Sequence, residues 1–89
     1  MNNNQVVQAW LEARSAMGNN LSTDSRYLYS YDLEIGRYLW SDDLPIVWSY
    51  NAKNNHFISR ATSNHVSLAV KETHQRGLDL LLLTPHTQA

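Results

Sequence analysis

Seven consecutive residues, Ser59-Arg60-Ala61-Thr62-Ser63-Asn64-His65, bring three hydroxyls, an amide, an imidazole and a guanidinium together. They precede a helical stripe, so the free N–H groups of a first helical turn face the same point, where the helix dipole favours an anion. Ser59, Arg60, Thr62, Ser63 and His65 are therefore the candidate contacts for a phosphate or carboxylate, a nucleotide being one example. The plainer role is that Thr62 or Ser63 caps the helix and Ser59 is an ordinary strand residue.

Other chemistry is thinly provided. The chain has no G-x-S-x-G elbow and no H-E-x-x-H, and its three glycines, Gly18, Gly36 and Gly77, lie too far apart to form a phosphate-cradling loop. Pairing His65 with Ser63 or Asp24 for hydrolysis needs contacts that spacing does not supply, so no catalytic residue is assigned and no enzyme is expected. Without cysteine there is no thiolate ligand or thiol nucleophile. His65 and His74 are nine residues apart, which on a helix puts them on opposite faces, and neither a metal nor a cofactor is expected. A second cluster, Tyr38, Leu39 and Trp40 beside Asp42 and Asp43, places apolar bulk in a connection, where it reads as a contact surface for a partner or a second subunit.

The elements that would hold these residues follow from periodicity. Asn4 is a suitable N-cap, and Val6, Val7, Trp10, Leu11 and Met17 recur at helical spacing until Gly18, predicting a helix over 5–17. Leu21-Ser22-Thr23 and Arg26-Tyr27-Leu28-Tyr29 flank Asp24-Ser25 as a hairpin. From Tyr27 the pattern alternates: Tyr27, Tyr29, Tyr31, Leu33 and Ile35 share a face expected to be core, while Ser30, Asp32 and Glu34 share a wet one. Residues 44–50 read as the partner strand, with Pro45 at its start or on an unpaired edge, and residues 56–60 as the next strand. Val66, Ala69, Val70 and Thr73 predict a helix over 63–76 stopped by Gly77, and Leu78 to Leu83 a strand buried on both faces. The order is α-β-β-β-β-α-β, a single small α+β domain over 1–89 with a mainly antiparallel sheet and two helices on one face, residues 1–4 and 86–89 being loose.

Length and charge bound the rest. Eighty-nine residues suffice for one hydrophobic core, and 43% apolar residues exclude global disorder. A net charge of -1 gives no overall field for phosphate backbones or anionic lipid, so nucleic acid is an unfavoured partner. Charge is uneven, with three arginines against six carboxylates in residues 1–45 and four basic side chains against two acidic in 46–89. No stretch is long and apolar enough for a membrane span, and the start lacks the basic residues of a signal peptide. A weakly charged surface carrying Tyr and Trp predicts a homo-oligomer.

The series Leu21-Ser22-Thr23-Asp24, Leu28-Tyr29-Ser30-Tyr31, Ile35-Gly36, Phe57-Ile58-Ser59 and Thr62-Ser63-Asn64-His65-Val66 resembles a widespread set of short bacteriophage proteins of uncharacterised function. Their pattern is N-L-S-T-D-G, L-x-S-Y, I-G, F-x-S and T-S-x-H-V. The chain departs from it at Ser25, where the pattern has a turn glycine, at Ala61, where a second threonine is usual, and at an insertion-like Trp40 to Leu44. The resemblance implies a small phage accessory protein in the bacterial cytoplasm. The expected function is non-enzymatic binding of a host macromolecule, a defence or regulatory protein, through Tyr38 to Asp43. The alternative is a module that binds or sequesters an anionic small molecule at Ser59 to His65.

Overall fold

The computed structural model describes residues 2–50 and 59–84. Along the chain these form α1 (Asn3–Leu11), β1 (Ser15–Met17), β2 (Leu21–Asp24), β3 (Tyr27–Ser30), β4 (Leu33–Leu39), β5 (Leu44–Trp48), α2 (Arg60–Gln75) and β6 (Leu81–Leu83). The strands lie side by side in sequence order, antiparallel from β1 to β5, and β6 returns parallel to β5 after α2. Helix α1 covers β1 to β3, α2 lies against it over β3 and β5, and the core fills the space between helices and sheet. The α+β class with a mainly antiparallel sheet and two helices is as expected. No helix among the described residues is long and apolar enough to cross a membrane.

Several boundaries differ from expectation, for local reasons. Helix α1 is capped by Asn2, whose side chain accepts from Gln5 N–H at 2.8 Å while Gln5 returns the bond to Asn2 N–H. The capping box draws residues 2–4 into the helix rather than leaving them loose. The helix stops at Leu11, well short of Met17, because Ala13 adopts φ 60. Arg14 N–H then bonds Ala9 C=O and Ala13 N–H bonds Trp10 C=O, the Schellman arrangement with alanine where glycine is usual. The chain freed by that stop, Ser15–Met17, adds an edge strand to β2. Helix α2 ends in the same way on Gly77, at φ 70, with Leu78 N–H bonding Thr73 C=O.

The single alternating strand expected from Tyr27 to Ile35 is instead two strands joined by a turn at Tyr31-Asp32. Its faces are also reversed. Leu28 and Ser30 point toward the helices and are buried, whereas Tyr27 and Tyr29 lie on the opposite face with Trp48. There Arg37 places its guanidinium 5.1 Å from the Tyr27 ring and 5.5 Å from the Trp48 ring, while pairing with Glu34. Leu28 and the buried Leu21 outcompete the half-polar tyrosines for the dry side. A β-bulge opposite Leu28 and Tyr29 buries Ile35 as well. Next to it, Gly36 is tightly enclosed: a Cβ would stand 3.1 Å from Trp10 and 3.3 Å from Leu28, closer than most Cβ contacts. The indole fills that space, is fully buried and donates to the Arg26 carbonyl at 2.9 Å.

At the far edge, Leu81, Leu82 and Leu83 are exposed rather than buried on both faces, because β6 has β5 on one side and no other described strand on the other. Pro45 sits in the second position of β5, ahead of the first residue paired to β6, Ile46. The turn expected over 51–55, residues 56–58 of the expected strand and the tail 86–89 lie outside the described residues. Ser59 and Arg60 belong to the start of α2.

Candidate functional site

The β3–β4 turn and the first turns of α2 meet over the end of the sheet. Ser59 is the N-cap of α2: its Oγ accepts from Thr62 N–H at 3.1 Å, so the cap is Ser59 and not Thr62 or Ser63. Ser59 Oγ also donates to Thr62 Oγ1 at 3.1 Å. Thr62 Oγ1 lies 3.0 Å from Ser30 Oγ, and Ser30 Oγ lies 2.7 Å from His65 Nδ1. Helical spacing puts Thr62 and His65 on the inner side of α2, and pleat alternation points Ser30 at them from β3. Thr62, Ser30 and His65 are 1%, 1% and 4% exposed.

These bonds link four side chains into one network. Burial pushes the His65 imidazole below its ordinary value, so the neutral ring prevails at neutral pH. Thr62 Oγ1 accepts from Ser59, and the Ser30 hydroxyl bridges Thr62 Oγ1 and His65 Nδ1, donating to the ring when its proton is on Nε2 and accepting from it when the proton is on Nδ1. Ser59, its hydrogen spent on Thr62, is left with an acceptor lone pair at the surface.

Outside this network opens a cleft of about 560 Å³ lined by Ser30, Tyr31, Asp32, Leu33, Ser59 and Thr62. Tyr31 stands at its rim, 53% exposed, with backbone φ 57 and its ring centroid 6.3 Å from that of His65. A bulky aromatic residue rarely adopts that conformation. A second groove of about 290 Å³, lined by Met17, Gly18, Asn19, Asn20, Leu21 and Ser22, shares Tyr31 and Asp32 with the first.

Of the residues singled out for an anion, Ser59, Thr62 and His65 converge. Arg60 projects to solvent as the first helical residue and Ser63 is half-buried one position round from the cluster; neither lines the cleft. Ser30, the hub, was expected on a wet strand face. Its signal was the L-x-S-Y segment, which shares the pattern with Ser59 and the T-S-x-H-V segment. The other matching segments have packing roles. Thr23 Oγ1 donates to the Tyr27 carbonyl at 2.7 Å and accepts from Ser25 N–H, and Asp24 Oδ1 accepts from the N–H groups of Arg26 and Tyr27. These bonds close the β2–β3 turn, and Ile35-Gly36 makes the bulge and the Trp10 seat.

The expected partner surface is more inward than its composition implies. Tyr38 and Leu39 belong to β4, and only Trp40 to Asp43 form the connection. Tyr38 is 3% exposed, meets Trp10 edge-on and donates to Asp43 Oδ1 at 2.8 Å. Burial first, and the Asp43 carboxylate second, push its phenol up to about 12. Trp40 stacks on Tyr38 at 3.7 Å and leaves 40% of its surface exposed, beside a groove that also holds Arg26, Arg37 and Ser41. Asp42 is exposed at the turn.

No cluster of three or more histidine, aspartate or glutamate side chains placed to hold a metal occurs among the described residues. Compared with models of protein families, with curated proteins and with solved structures, the chain matches none.

Proposed function

We propose that this chain is a small binding protein whose ligand enters the cleft between the β3–β4 turn and the start of α2. One observation carries the reading. Ser30 and Tyr31, then Ser59, then Thr62 and His65 come from three separate segments of the bacteriophage-type pattern, and they assemble one cleft with a buried polar floor. A core has no need of four linked polar side chains, since apolar groups of the same shape would serve stability as well.

Binding is favoured over hydrolysis by the same geometry. Ser30 Oγ stands at a nucleophile's distance from His65 Nδ1, but the hydroxyl is also held by Thr62 and is 1% exposed. No described carboxylate hydrogen-bonds the imidazole to orient it as a base. The resemblance supplies the setting, a phage accessory protein acting in the bacterial cytoplasm. The second reading, contact with a host macromolecule through the β4–β5 turn, draws on exposed Trp40 and the neighbouring Arg26 and Arg37.

The test is an amide NMR spectrum of the labelled protein with and without a small-molecule extract of bacterial cells. Shifts at Tyr31, Asp32 and Ser59 are expected. Shifts confined to Trp40, Ser41 and Asp42 on adding the macromolecular fraction would favour the second reading instead.

A further inference from the structure

We infer that the cleft takes a neutral, polyhydroxylated ligand, a saccharide, rather than an anion. This rests on the binding reading above and names its ligand class.

Two of the donors an anion would use are already engaged. At the start of α2, Thr62 N–H bonds Ser59 Oγ and Ser63 N–H bonds the Ser59 carbonyl. Ser59 spends its hydroxyl hydrogen on Thr62 Oγ1, so it meets the cleft as an acceptor. Among the described residues no arginine, lysine or histidine lines either groove, and Asp32 lines both. A cation is no better placed, because the site lies against the positive end of α2, whose first residue is Arg60.

What remains suits hydroxyl groups on a ring. The side chains of Asp32, Asn19, Asn20 and Ser22 border the two grooves on either side of Tyr31, and none of the four hydrogen-bonds to another described residue. A carboxylate accepts from two neighbouring hydroxyls at once, and a carboxamide accepts from one while donating to the next. The ring of Tyr31 is half exposed and offers a negative π face to the C–H side of a saccharide. Leu33 supplies an apolar wall. The larger groove falls within the ~300–1,000 Å³ of small-molecule sites and the smaller lies at its lower end, so a two-ring ligand could straddle Tyr31.

The experiment is an amide NMR titration of the full chain with a panel of neutral mono- and disaccharides, a nucleoside monophosphate and an aliphatic diamine. At least one saccharide is expected to move Asn19, Asn20, Tyr31 and Asp32, and the two charged probes are expected to leave them in place. Tyr31→Gly keeps the turn, which favours glycine, and removes the ring. It should weaken saccharide binding tenfold or more without lowering the melting temperature, and Asp32→Asn should weaken it several-fold. If the monophosphate or diamine moves these residues and no saccharide does, the ligand class is wrong while the cleft remains a binding site. If neither the panel nor a cell extract moves any cleft residue, both readings fall.

Discussion

Strand β3 is only four residues long, and at each end it meets a turn with a non-glycine residue at positive φ. The two turns resolve that strain differently. At the first, Ser25 at φ 86 is surrounded by compensation: Thr23 and Asp24 side chains take up three backbone N–H groups and one carbonyl, and the adjoining Arg26 carbonyl anchors Trp10. At the second, Tyr31 at φ 57 has its N–H on the Asn20 carbonyl and its side chain half exposed. The left-handed conformation costs an L-residue about 1–2 kcal/mol. The half-exposed ring recovers only part of what full burial would return. The first end is therefore organised for folding, and the second keeps an unfavourable residue beside a cleft, as strained functional positions do.

The largest test of that division is Trp10→Ala, expected to cost about 3–5 kcal/mol in urea unfolding by emptying the fully buried seat over Gly36. A loss below about 1 kcal/mol would show that the first end is not the anchor. At the second end, Ser30→Ala removes the shared partner of Thr62 and His65 and should cost about 1–3 kcal/mol, with cleft binding lost in the fraction that stays folded.

His65 adds a pH dependence of definite sign. Its folded pKa lies below the unfolded value, so the unfolded chain takes up the proton first as pH falls. The stability present above about pH 6.5 is progressively lost as the pH falls below it, and His65→Gln should flatten that part of the profile in thermal melts. Unchanged steepness in the variant would place the titration elsewhere. The smallest effects come from the turns themselves. Ser25→Gly and Tyr31→Gly should each stabilise by about 1 kcal/mol, but only the second should weaken ligand binding. Loss of binding in both would erase the distinction between the two ends.

Much of the architecture is legible where the local signal and the packing agree. Gly77 announces the end of α2, and Val6, Val7 and Trp10 announce the buried stripe of α1. The end of α1 is hidden because alanine, not glycine, occupies its left-handed position. The tyrosine alternation misleads because period two marks two faces without saying which one is dry, and a turn at Tyr31 interrupts it. The site is half legible. Ser59, Thr62 and His65 lie within one helical start, but Ser30 reaches them across thirty-two to thirty-five residues, a separation no local pattern encodes. The resemblance carried Ser30 among its residues without stating what it touches.

The parallel seating of β6 also bears on how the chain assembles. Each pairing from β1 to β5 joins strands separated by a tight connection, so these ladders can close as the chain emerges. The β5 edge waits until α2 has been made and laid down, and Leu83 then accepts from both N–H and Oγ of Ser49 at 2.9 and 3.1 Å. During that interval the hydrogen-bonding edge of β5 is uncovered, with Ile46 and Val47 at its centre. Nascent chains halted before Leu81 would present that edge to one another, so the window between making α2 and seating the three leucines is when this small domain is most exposed to misassembly.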